Sequence, residues 1–93
     1  MNTESVNFIT DHVLLLQEKY NESLAKINEA DIKGEDSSFY KGQNFAYYDA
    51  LELIKSQIEA FGYNSKEVPV AVPEFGKPAT LDGITDVNLS AIA

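Results

Sequence analysis

Few side chains in this sequence are placed to do chemistry. Glu18 with Glu22, and Asp49 with Glu52, stand three or four residues apart, which puts two carboxylates on one helix face as a possible acid and base. The same spacing occurs on almost any acidic helix, and no nucleophile or oxyanion donor set accompanies it, so no catalytic residues are expected. His12 is the only histidine and directly follows Asp11. Adjacent helix positions diverge by about 100 degrees, so the two form no dyad, and a metal there would need carboxylates or a symmetry mate. The run Asp82-Gly83-Ile84-Thr85-Asp86-Val87-Asn88 lacks the acidic triplet, central glycine and closing glutamate of a calcium loop. There is no phosphate-binding glycine loop, no Ser-His-Asp set and no zinc spacing. Neither a cofactor nor a metal site is expected, and the chain reads as non-enzymatic.

Binding chemistry is better represented. Five of the ten aromatic residues lie between Phe39 and Tyr48. On a helix Tyr40 and Tyr47 point into a packing seam, whereas Phe45 and Tyr48 fall to one side with Lys41, Glu52, Lys55 and Glu59 along their flank. Rings edged by charge suit a partner-binding surface, because tyrosine and phenylalanine bury much area for little entropy. Phe45, Tyr48 and Glu52 are therefore the expected contact residues, joined by Phe8 and Leu15 of the preceding helix. The competing expectation is that the chain's own valine and proline tail covers Phe45 and Tyr48.

The elements that must position these residues follow from periodicity. Val6, Ile9, Val13, Leu16, Tyr20, Ile27 and Ala30 recur in steps that fit a helical heptad, with Ser23 in the seam. Asn2 or Thr3 can cap its start, and Gly34 stops it. Phe8, Leu14 and Leu15 lie outside the seam and call for a second neighbour. A short turn over Lys33-Gly34-Glu35-Asp36 makes the next helix an antiparallel neighbour. That helix shows Tyr40, Tyr47, Leu51, Ile54, Ile58 and Phe61 on one face and ends at Gly62. Gly42, Ala46 and Ala50 run beside the seam, four apart, and would let another helix approach closely. Helix packing and oligomer contact are thus expected of Tyr40, Gly42, Ala46, Tyr47, Ala50, Leu51 and Ile54.

After Gly62 the pattern changes. Pro69, Pro73 and Pro78, with Val68, Val70 and Val72 between them, predict an extended segment, ordered to about Phe75. The expected fold is all-α: a long antiparallel two-helix hairpin over 1–62 with an extended C-terminal tail over 63–93, completed as a four-helix bundle by dimerisation. Ninety-three residues without cysteine make a modest core, and oligomerisation is the usual remedy.

The net charge is −8, and every basic residue is lysine. Residues 1–36 hold eight acids and three lysines, whereas 37–62 hold three and two. Such a balance argues against direct nucleic-acid binding. No membrane span or signal peptide is visible, so a cytoplasmic setting is expected. The acidic first helix suits a basic protein partner or simply a solvated face.

The run Gly42-Gln43-Asn44-Phe45-Ala46-Tyr47-Tyr48-Asp49-Ala50-Leu51-Glu52-Leu53-Ile54-Lys55-Ser56-Gln57 resembles a pattern in small, mostly uncharacterised helical proteins of bacteriophages and mobile elements, anti-CRISPR-like inhibitors among them. The resemblance covers that helix alone. It implies a small acidic protein that binds and inhibits or adapts a host or phage protein. The alternatives are an oligomeric sponge for a nucleotide-like signal and a virion assembly or structural protein.

Overall fold

In the computed structural model, which describes residues 2–63 and 66–79, the ordered elements are two helices, α1 over Thr3–Lys33 and α2 over Ser38–Ala60. The start of α1 is fixed by Asn2, whose side-chain oxygen accepts the Ser5 N–H at 2.8 Å. Its end is fixed by Gly34 in the left-handed region, φ 72°, where the Glu35 N–H reaches back to the Ala30 carbonyl at 2.8 Å. Lys33 closes the last turn on Glu29 at 3.0 Å, and this contact holds the Glu29 carboxyl below its usual range. Ser37 occupies the cap position of α2 without a side-chain bond of its own. Asp36 does that work instead, accepting the Ser38 N–H at 3.0 Å and the Ser38 hydroxyl at 2.6 Å, which lowers its own pKa.

The four-residue turn folds α2 back along α1, so the hairpin is antiparallel. The seam is built as the heptads require: Val13, Tyr20 and Ala30 from α1 are buried against Leu51 and Ile58 of α2. One expectation shifts. Phe61, read as a seam residue, is the residue after the helix and is largely exposed, because the seam closes at Ile58 and the chain turns away through Gly62, φ 84°. The helix runs through Gly42, as the pattern expects, and among the described residues nothing lies within 4 Å of where a Cβ would stand.

Residues 66–79 form neither helix nor strand and lie along α1 in its own direction, from Ala71 beside Gln17 to Ala79 beside Asn21. Val68 and Ala79 are buried there and complete the core. The description thus extends four residues past Phe75. The possible turn at Asp82-Gly83 and the run to Asn88 lie outside the described residues. None of the described helices is long and apolar enough to cross a membrane.

Polar groups join these parts. Asn44, buried in α2, donates to the Tyr20 carbonyl at 3.3 Å and to the Ser23 hydroxyl at 3.0 Å, while that hydroxyl donates to the Tyr20 carbonyl at 2.7 Å. Replacing Asn44 with alanine removes the amide donor that joins α2 to the Tyr20 carbonyl and the Ser23 hydroxyl, and should lower unfolding stability by about 1–3 kcal/mol in urea titration. Asn44→Asp should cost at least as much, since a carboxylate cannot donate to Tyr20. An unaltered midpoint in both variants would contradict the role given to this pin.

Candidate binding surfaces

A hairpin of two helices has two open sides, and the sequence assigns residues to each. With about 100 degrees between successive positions, Gln17 and Asn21 of α1 and Phe45 and Tyr48 of α2 flank the seam on one side. Phe8, Leu15, Lys19 and Lys26 of α1, with Gln43, Ala50, Leu53 and Phe61 of α2, flank it on the other. The 66–79 segment takes the first side. Gln17 donates its amide to the Ala71 carbonyl at 3.0 Å. The Tyr20 hydroxyl donates to the Glu74 carbonyl at 3.4 Å and accepts the Gly76 N–H at 3.0 Å. Asn21 pairs with Ala79 in both directions, at 3.0 and 2.7 Å, as one peptide group pairs with another.

These bonds have a common cause. An irregular segment has no ladder to satisfy its main chain, so buried N–H and C=O groups must find side chains. Gln17, Tyr20 and Asn21 supply them from adjacent turns of α1. The arrangement is not complete: Gln17 Oε1 is buried with no partner among the described residues, because its amide is turned to donate toward Ala71.

The segment also delivers Phe75 to the aromatic run. Its ring stands edge-on to Phe45, with centroids 5.9 Å apart, and to Tyr48 at 5.1 Å. Tyr48 is thereby half-buried, whereas Phe45 stays 56 % and Phe75 53 % exposed. Burial and then the neighbouring Glu52 carboxylate push the Tyr48 phenol above its ordinary value. The result is one platform of three rings, part contributed by α2 and part by the segment. Of the five residues expected to contact a partner, Phe45, Tyr48 and Glu52 belong to this side, and Phe8 and Leu15 to the other. They do not form one surface.

Among the described residues nothing covers the second side. Near the open end of the hairpin lies a groove of about 370 Å³ lined by Phe8, Ile9, His12, Leu53, Ile54 and Phe61 among others. Phe8 and His12 stack across one turn of α1 with rings parallel, centroids 6.1 Å apart. Toward the turn a smaller cleft of about 190 Å³ sets Lys19 and Lys26 beside Tyr40, Gln43 and Tyr47. Tyr40, Tyr47, Ala50 and Ile54 are half-buried, Leu51 is fully buried in the seam, and Gly42 and Ala46 point outward, away from α1. Among the described residues no three histidine, aspartate or glutamate side chains converge as metal ligands would.

Gln17, Asn21 and Asn44 are structural determinants that pattern reading did not single out, whereas the tail that was expected to cover Phe45 and Tyr48 does meet both rings, through Phe75. The available signal was the polar run Gln17 to Asn21 next to an otherwise apolar seam. Substituting Tyr20 with phenylalanine removes both hydroxyl bonds to the segment and should cost about 1–2 kcal/mol of stability. It should also speed tryptic cleavage after Lys66 well before the helices open; cleavage at the wild-type rate would show that the hydroxyl does not hold the segment. No protein-family model, curated protein or solved structure matches this chain.

Proposed function

We propose that the chain is a non-enzymatic protein-interaction module that presents the Phe45, Tyr48 and Phe75 rings to a protein partner, and that it works as a dimer whose hairpins complete a four-helix bundle. The observation that carries the binding reading is the ring platform itself. Phe45 and Phe75 remain more than half exposed although each touches another ring, and the backbone beneath Phe75 is tied to α1 on both sides, through Glu74 and Gly76. Rings held in place before binding lose little entropy when covered, which is the property of an interface anchor.

Charge supports the class of partner. Residues 1–36 carry most of the acidic excess, so the field around α1 steers the module toward a basic surface. Inhibition or adaptation of a host or phage protein is the biological setting that the resemblance of Gly42–Gln57 suggests. A second reading, a sponge for a small anionic planar ligand, draws on the cleft where Lys19 and Lys26 face Tyr40 and Tyr47. A thermal-shift comparison with and without nucleotides separates the two, because a sponge is stabilised by its ligand and the interaction module is indifferent to it.

Replacing Phe45 and Phe75 together with alanine should weaken capture of a protein partner from host lysate by about thirtyfold or more. Helical circular dichroism should stay unchanged, since neither ring is part of the buried seam. Undiminished capture by a folded double variant would remove the platform from the account.

A further inference from the structure

The uncovered side of the hairpin carries a feature that neither the seam nor the ring platform uses. Along α2 the positions Phe39, Gln43, Ala46, Ala50, Leu53 and Gln57 follow one another in steps of three and four, a second heptad line beside the seam, and Phe61, the residue after the helix, follows four positions on. None of these residues is charged, in a chain with a net charge of −8. Its large members are left in water: Phe39 is 70 %, Leu53 60 % and Phe61 74 % exposed. A charge-free line with exposed rings at both ends is unlike a solvated helix face, which in this protein is acidic.

The centre and the ends of the line, though not Ala46 and Leu53 between them, read alike in both directions. Phe39 and Phe61 each stand eleven residues from Ala50, and Gln43 and Gln57 each stand seven from it. If two α2 helices cross antiparallel with Ala50 at the two-fold axis, Phe39 of one copy lies against Phe61 of the other, Gln43 against Gln57, and Ala50 against Ala50. Apolar then meets apolar, amide meets amide, and the smallest side chains fall where the backbones come closest. The spacing of about 16 Å from Ala50 to either ring places Phe39 of the second copy at the mouth of the groove lined by Phe8, Leu53 and Phe61.

We propose that α2 is the self-association helix: two chains pair antiparallel through this line, and Phe39 of each copy fills the open-end groove of the other. This rests on the reading that the chain is a dimer and names the surface that makes it one. Each groove is incomplete without the second copy's ring. The charge distribution favours this helix over α1, because pairing through α2 sets the two acidic α1 helices on the outer flanks, away from each other. The same arrangement leaves both ring platforms, on the opposite side of each hairpin, free for a partner.

Sedimentation equilibrium of the full chain at micromolar concentration, with three variants, tests the proposal. The wild type should sediment at twice the 10.3 kDa chain mass. Leu53→Glu, at a position already exposed in the single chain, should weaken association more than about a hundredfold by burying an unpaired carboxylate, with helicity retained. Phe45→Glu, on the covered side, should leave association unchanged. Because the chain has no cysteine, Ala50→Cys should form a disulfide-linked dimer on mild oxidation, which needs no loss of folding to be read. A monomeric wild type overturns the dimer and this surface with it. A wild-type dimer that tolerates Leu53→Glu and does not cross-link through Ala50→Cys overturns the surface while the dimer stands.

Discussion

A buried tyrosine hydroxyl must have its hydrogen bonds made inside the protein, and Tyr20, at 0 % exposure, makes them to residues 66–79, which have no helix or strand of their own. The same residue's carbonyl accepts from Ser23 and Asn44, so α1, α2 and residues 66–79 meet at a single position. Loss of order there is not local. If the segment lifts away, Tyr20 and Gln17 each leave polar groups without partners, Val68 and Ala79 lose their cover, and Phe75 leaves the rings of α2. The polar node makes the position of the segment specific in a way that apolar contact alone would not, because amide and hydroxyl bonds fix register as well as proximity.

From that constraint follows the division of the molecule into two unlike sides. The segment fills one side of the hairpin and turns the aromatic run of α2 into a platform by adding Phe75. The other side keeps its groove, with Phe8, Leu53 and Phe61 in water. A small chain without disulfides has little stability to spare, so an apolar groove left open is a cost unless something covers it. The platform and the groove lie on opposite sides of the hairpin.

The helices were legible in the sequence because their signals are local and redundant. Asn2 as a cap, Gly34 as a stop and the Val13–Tyr20–Ala30 seam all follow from spacing and chemistry within a few turns. Phe61 misled because it continues the period of the α2 face, yet the helix ends one residue earlier and the ring swings clear. The polar core was not legible for a different reason. Gln17, Asn21 and Asn44 look like surface residues next to a coiled seam, and their burial is caused by backbone groups more than fifty residues away, or more than twenty in the case of Asn44. No periodicity within α1 announces that an irregular segment will need amide partners there. The aromatic run could be divided into seam rings and flank rings by helix geometry, but its third flank ring, Phe75, comes from outside the helix altogether.

Amide hydrogen exchange at Gly76 and Ala79 tests the central claim most directly, since these two N–H groups belong to no helix and are held only by Tyr20 Oη and Asn21 Oδ1. The account predicts that both exchange far more slowly than an unstructured peptide and that Tyr20→Phe releases Gly76 first. Exchange of both amides at the unstructured rate in the wild type would contradict it, because the segment would then not be fastened to the hairpin and the two sides would not be distinct.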